Sequence, residues 1–462
     1  MKARVVLFPT PGAGHLVSML QLAKRILHHA PSLSITILLI HPPPAATATN
    51  SHVNAAAASG LDIDFIEIPR SEPAEGEGLV HLLRFIETHK PYVRETLASL
   101  PGVAAFVADM FCITVMDAAA ELGIPSFVFY PSSAACLAAT LYLPTLNQRY
   151  EGRALKEVKD NIQVPGMSPV PPTVIPGPLQ DKDDPAHPWF LRTTGLYSRL
   201  DGVLVNTFHE LEQKALTALA DGLCTPGGRT PPVHPVGPLL GLDCAPKDGW
   251  ECIEWLDRQP ESSVVFLCFG SISAFSPEQV REVACGLELS GARFLWSLRV
   301  RSSHVGVDLK GVLPAGFAER TSGRGLVSPA WVPQIAILAH PAVGGFVSHF
   351  GWNSTLESVW FGVPMVAWPQ FAEQAMNAFE LVNGLGLGLR MVGEEVDAGT
   401  LIRGKELGRA VRALMEGEEG ARAREKMKAM KESARRAVEE GRGSSYANLA
   451  AVVQQWIETV PH

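Results

Sequence analysis

The chain has 462 residues, 47% of them hydrophobic and 19% charged, enough apolar mass for two cores, because a single core stops growing near about 250–300 residues. Its 39 basic and 47 acidic side chains leave a net charge of −8, which argues against nucleic acid or an anionic membrane surface as a partner. Seven cysteines (112, 136, 224, 244, 252, 268 and 285) are an odd number with no CxxC pair, the pattern of free thiols in a reducing compartment.

The N-terminus reads MKARVVLFPTPGAGH. Its apolar run is only Val5–Phe8 before Pro and Gly interrupt it, so no signal peptide is expected. No window approaches about 18 uninterrupted apolar residues, so no integral membrane association is expected either. The bulk properties thus predict a cytoplasmic, soluble protein of two domains, and a monomer is expected.

In chain order, Arg4–Phe8 reads as a strand and Leu16–His29 has helical spacing. Ser34–Ile40 and Leu61–Ile68 read as strands, and Val103–Ala108 as another, followed by a helix over Thr114–Leu122 and a strand at Ser126–Tyr130. The rhythm resumes with strands at Ser263–Cys268, Arg293–Ser297, Gly345–Ser348 and Pro364–Trp368, with helices between them. Strands that are apolar throughout and alternate with helices indicate parallel sheets covered on both faces. Pro235–Trp250 is rich in Pro and Gly without a period and reads as an interdomain link. Ala45–Ala58 and Val164–Pro188 are expected to be long loops, and 403–442 to be solvated, charge-laced helix. The expected domains are 1–240, a linker at 241–250, and 251–443, with a helix at about 444–462 returning to the first domain. In such α/β sheets ligands bind outside the carboxyl ends of the strands.

Four predicted strand ends carry polar groups. After the first strand, PTPGAGH places His15 at a helix start, where the positive helix end suits a neutral general base; a histidine with only local hydrogen bonds would read the same. Asp109 follows VAAFVA and serves equally as a helix N-cap or as the carboxylate that holds one nitrogen of His15 and fixes its tautomer. Phe269-Gly270-Ser271 follows SVVFLC, where glycine lets backbone amides approach an anion. Finally SHFGWNSTLES puts Asn353 and Ser354 at a helix N-terminus, an anion site or an ordinary cap, with Glu357 one turn on, placed to accept from vicinal hydroxyls. The fourteen histidines are scattered, and no cluster has metal-ligand spacing.

Residues 331–374 read WVPQIAILAHPAVGGFVSHFGWNSTLESVWFGVPMVAWPQFAEQ. WxPQ, ILxH, GGFxSH, GWNSxLES, GVPMVxWP and the terminal EQ fall in the order and spacing of the signature box of plant family 1 UDP-dependent glycosyltransferases, which this chain closely resembles. PTPGAGH, VAD at 107–109, DGVLVNTFHELE, the VGPL junction and FGS extend the resemblance over the whole chain. It implies the GT-B fold, two Rossmann-like domains facing each other across a cleft, with the acceptor mostly on the first and the nucleotide sugar on the second. Carried over by motif position, Trp331 would stack on uracil, whose edge meets the Val332 backbone and Gln334. Glu357 would hold the ribose; His349, Asn353, Ser354 and Ser271 the diphosphate; Trp352, Glu373 and Gln374 the sugar. Gln374 is the residue type that glucose-preferring members carry, so UDP-glucose is the expected co-substrate, without cofactor or metal. His15 and Asp109 match the family's catalytic dyad for inverting transfer to an acceptor hydroxyl. The segment PGPLQDKDDPAHPWF resembles members that glucosylate flavonoids and other phenols.

Two departures stand out: Phe350 where the box commonly has Cys, and Ser273 where FGSxG members carry Gly. Attack through an aromatic carbon, giving a C-glycoside, is the alternative within the enzyme reading. A non-catalytic nucleotide-sugar binding protein is more remote, because His15 and Asp109 are intact. A nicotinamide oxidoreductase is disfavoured: GAGHLV lacks the third glycine of GxGxxG, and no acidic residue ends the second strand.

Overall fold

A computed structural model describes residues 2–41, 47–69, 78–242, 250–270, 273–299, 309–391 and 400–459. The chain divides into two compact units: residues up to Pro172, Gly177–Gly241 and the chain from Arg436 onward form one, and Leu242–Arg435 with Thr173–Pro176 form the other.

The first unit is built on strands β1 (Arg4–Phe8), β2 (Ser34–Leu39), β3 (Ile63–Glu67), β4 (Val103–Asp109), β5 (Ser126–Tyr130), β6 (Gly202–Val205) and β7 (Val233–Pro235), in the order β3-β2-β1-β4-β5-β6-β7. Every pairing is parallel. The order reverses between β1 and β4, whose register pairs Phe8 with Ala108. That reversal brings the loop after β1 beside the end of β4 and opens the crevice in which such sheets bind ligands. Val5, Leu7, Ile35, Ile37, Ala105 and Val107 are buried in one core with the helix Ala13–His29. Leu449, Val452, Val453 and Trp456 of the terminal helix Ser444–Thr459 share this core, and the Trp456 ring lies edge-on to Phe127 at 5.3 Å.

The second unit holds β8 (Val264–Cys268), β9 (Arg293–Ser297), β10 (Gly325–Ser328), β11 (Val343–Ser348), β12 (Met365–Ala367) and β13 (Gly388–Arg390), in the order β10-β9-β8-β11-β12-β13 and again parallel throughout. Here the reversal falls between β8 and β11, and Cys268 pairs with Ser348. The loops that follow these two strands are therefore neighbours.

Nine strands form where the apolar runs lie. The four the sequence reading passed over, β6, β7, β10 and β13, are three or four residues long, too short for alternation to register. Ala45–Ala58 is not a loop over its described part: Thr47–Ala57 is helical, as its alanine content favours. Val164–Pro188 carries a turn at Pro172–Val174 and a short helix at Gly177–Gln180. Of the helix expected over Thr114–Leu122 only Asp117–Ala120 is α-helical, and a 3₁₀ turn, Met110–Val115, precedes it. The first helix starts at Ala13 rather than Leu16, so His15 sits in its first turn. The middle of the expected link, 243–249, lies outside the described residues. Among the described residues no helix is long and apolar enough to cross a membrane.

Candidate active site

In the first unit the β1–β4 reversal delivers two sequence-predicted residues to one place. His15 Nδ1 lies 2.8 Å from Asp109 Oδ2, and Asp109 is fully buried whereas the His15 side chain keeps 29% exposure. A carboxylate is an acceptor, so Nδ1 carries the hydrogen and Nε2 is the basic nitrogen of the neutral ring. The other carboxylate oxygen is occupied too. Thr10 Oγ1 donates to Asp109 Oδ1 at 2.6 Å, and the Phe111 amide donates to the same oxygen at 3.1 Å. Capping and holding the imidazole are thus not alternatives: one oxygen caps the 3₁₀ turn and the other meets His15. Cys112, fully buried, places Sγ 3.5 Å from Thr10 Oγ1, and burial together with the charge of Asp109 pushes its thiol pKa up.

Aromatic rings crowd this end of the sheet. Phe111 lies 5.5 Å from the His15 ring, and Trp189 and Phe190 each lie 6.4 Å from Phe111. The sequence marked the segment ending in Trp189-Phe190 only by resemblance; no local pattern announced its contact with Phe111, far away along the chain.

In the second unit the neighbouring loops after β8 and β11 converge on His349. A Cβ on Gly270 would stand 2.8 Å from its Nε2, and one on Gly351 only 2.4 Å away, so both positions need the bare glycine backbone. Burial lowers the pKa of His349 to about 4, partly offset by a hydrogen bond to the Cys268 carbonyl. The ring is therefore neutral near pH 7. Gly351 is the N-cap of the helix Trp352–Phe361 and, as a glycine, has no side chain with which to cap it. Asn353 and Ser354 occupy its first turn, and Trp352 is buried.

Gln334 Nε2 donates to Glu357 Oε2 at 2.6 Å and to Ser354 Oγ at 2.9 Å. Burial raises the Glu357 pKa to about 7, against the lowering effect of Gln334. Trp331 is 60% exposed, unusual for so large an apolar face, and the Arg299 guanidinium lies 5.3 Å from its ring centre. Val332 is buried beside it. Gln374 is also buried; its Oε1 accepts from the amides of Gln370 at 2.9 Å and Phe371 at 3.1 Å. Glu373, half-buried one residue earlier, lies 3.5 Å from the Asn377 amide. Ser271 lies outside the described residues.

Both departures have a local description. Phe350 is 1% exposed and holds a left-handed φ of 62°, a conformation that costs a non-glycine residue about 1–2 kcal/mol. Asn377 Nδ2 donates to its carbonyl at 3.1 Å, tying the turn before the helix to the segment of Glu373 and Gln374. Ser273 Oγ is buried with no hydrogen-bond partner among the described residues. Sequence reading missed Thr10, Arg299 and Asn377; each meets its contact across a long stretch of chain or a tight turn.

The family model described as UDP-glucoronosyl and UDP-glucosyl transferase matches residues 224–418. Over 465 aligned residues the chain is 43% identical to "Malvidin galactosylase UGT88C3" of Oryza sativa subsp. japonica, covering 96% of each. It is 41% identical to "Putative UDP-glucose flavonoid 3-O-glucosyltransferase 3" of Fragaria ananassa, covering 98% of this chain and 99% of that one. Among solved structures, Phytolacca americana UGT2 complexed with UDP-2fluoro-glucose and pterostilbene superposes with a TM-score of 0.89 at 35% identity, over 98% of this chain and 100% of that one.

Proposed function

The chain belongs to the UDP-glucuronosyl and UDP-glucosyl transferase family, and from that premise we propose that it transfers glucose from UDP-glucose to a hydroxyl of a flavonoid-type phenol, with inversion. Its fold is the pair of parallel-sheet α/β domains of GT-B glycosyltransferases. The observation that carries the reaction is the anchored imidazole: His15 Nδ1 sits 2.8 Å from Asp109, which leaves Nε2 to take a proton. The acceptor O–H bond breaks towards Nε2 as its oxygen attacks the anomeric carbon. The bond from that carbon to the diphosphate breaks on the opposite face, and UDP leaves with the electron pair. Asp109 stabilises the imidazolium as it forms.

Phe111, Trp189 and Phe190 support an aromatic acceptor, because ring faces bind a planar phenol by stacking and burial. On the donor, Trp331 would stack on uracil, with the Val332 backbone and Gln334 at its edge and Glu357 on the ribose. Gly270, Gly351 and the amides opening the helix at Trp352 would cradle the diphosphate by backbone donors and the helix dipole, with Ser354 and Asn353 in the same turn. A neutral His349 can act there by hydrogen bonding, and charge stabilisation would need no metal. Trp352, Glu373 and Gln374 would meet the sugar. Two backbone amides hold Gln374 Oε1, so its NH₂ group is the part offered to a sugar hydroxyl. All six described cysteines are free thiols, in keeping with a reducing, cytoplasmic setting.

The test is a competition between UDP-glucose and UDP-galactose with a panel of flavonoids, read by mass spectrometry before and after acid hydrolysis. One relative is named a galactosylase and another a 3-O-glucosyltransferase, so both choices are open to refutation. Glucosyl products that acid cleaves are expected. Preferential galactose incorporation would overturn the donor assignment, and an acid-stable product would point to a C-glycoside.

Glu357 gives a second expected result. Accepting from ribose hydroxyls favours its anion, and its pKa near 7 means binding must release a proton below that pH. UDP-glucose, whose diphosphate diester stays ionised throughout, should therefore bind about tenfold more weakly per pH unit well below 7 and level off above it. Calorimetry from pH 5.5 to 8.5 on the wild type and on Glu357→Gln checks this. The variant should bind weakly at all pH values, with the slope lost.

A further inference from the structure

The dyad does not end at Asp109. Thr10 is 1% exposed and Cys112 fully buried, so neither can exchange its partner for bulk water. The direction of their contacts follows from the groups present. Asp109 Oδ1 can only accept, so the Thr10 hydroxyl spends its hydrogen there, at 2.6 Å. The 3.5 Å contact between Thr10 Oγ1 and Cys112 Sγ must then run from the thiol to the hydroxyl oxygen. Thr10 is also held by its backbone, between Pro9 and Pro11. The following proline confines it to extended conformations, and the β1–β4 reversal sets it against the end of β4.

Resting on the reading of His15 as general base, we propose that Thr10, backed by Cys112, is a positioning residue of this enzyme. A one-directional chain of hydrogen bonds, thiol to hydroxyl to carboxylate, fixes the plane of the Asp109 carboxylate and through it the imidazole of His15. The terminal torsion of an aspartate is broad. With Thr10 lost, Oδ1 keeps only the Phe111 amide, and the Oδ2 atom that meets His15 is free to swing. Successive bonds polarise one another in a buried chain, so Cys112 contributes through Thr10 and by a smaller amount.

Thr10→Val removes the hydroxyl and keeps the branched shape; Thr10→Ser keeps the hydroxyl. Thr10→Ala is made alongside, in case valine disturbs folding. Loss of one hydrogen bond to a charged group predicts a kcat lower by about ten- to a hundredfold in Thr10→Val and Thr10→Ala. The KM for UDP-glucose and the affinity for UDP should not change. Thr10→Ser should recover to within about threefold, and Cys112→Ala should lose about two- to fivefold. Nitrogen-15 spectra of histidine-labelled protein, with His15 assigned by its absence in His15→Ala, should move from the Nδ1–H tautomer towards a mixture in Thr10→Val. Wild-type kcat and an unmoved tautomer in Thr10→Val and Thr10→Ala would overturn the proposal, as would Thr10→Ser being as slow as Thr10→Val. His15→Ala separates the two layers. If it retains turnover, the general-base reading itself fails; if it is inactive while Thr10→Val is fully active, only the role of Thr10 does.

Discussion

His15→Ala is expected to lower kcat for a simple phenol by about 10³-fold, within the range a positioned general base supplies, while UDP binds as tightly as to the wild type. The side chain is partly exposed, so its removal opens no core cavity and the fold should persist. Every residue assigned to the nucleotide lies in the second unit, so calorimetric UDP affinity reads the donor site independently of the dyad, and circular dichroism of the variant checks its fold. The loss should also depend on the acceptor. A phenol acidic enough to ionise in solution needs the base less, so chlorinated or nitrated phenols should be impaired far less than an unsubstituted one. Turnover within tenfold of wild type on a weakly acidic phenol would remove His15 from the role of base.

Asp109→Asn should be comparably damaging, by about 10²–10⁴-fold in kcat, although it changes one atom. The geometry dictates which one. Oδ1 already accepts from Thr10 and from the Phe111 amide, and an asparagine NH₂ placed there would oppose a backbone donor that cannot turn away. The amide nitrogen must therefore take the Oδ2 position, where it donates to His15 Nδ1. That forces the hydrogen onto Nε2, the atom that has to accept the proton of the acceptor. Steady-state kinetics together with UDP calorimetry would check this. A kcat within a few-fold of wild type would mean that the tautomer of His15 is not set by Asp109.

Much of the second unit's candidate site was legible because it is local. Trp331, Gln334, His349, Asn353, Glu357 and Gln374 fall within one short stretch at fixed spacing, so a contiguous pattern names them together. Local pattern does not reveal which side chains engage one another. The Gln334–Glu357 bond, the amides that hold Gln374 Oε1, and the Asn377 bond to the Phe350 carbonyl depend on rotamers and turns. Phe350 and Ser273 show the same limit. The sequence marked both as departures, but that one residue is left-handed and buried, and the other a hydroxyl without a hydrogen-bond partner among the described residues, follows only from the packed structure.

In the first unit the sequence alone established apolar strands alternating with helices, and a histidine and an aspartate each at a strand end. These are properties of runs of five to seven residues, and strand-like apolar patterning survives in isolation. That the two meet was decided by tertiary structure. Strand order depends on crossovers and on burial summed over the whole sheet, so β4 pairs with β1 rather than with β3, its predecessor in the chain. The same ordering brings Thr10 to Asp109 across 99 residues and His15 to it across 94. It also sets Gly270 against His349, because β8 neighbours β11. Local chemistry is written residue by residue; which local chemistries become one site is a property of long-range packing, which no short window of the sequence contains.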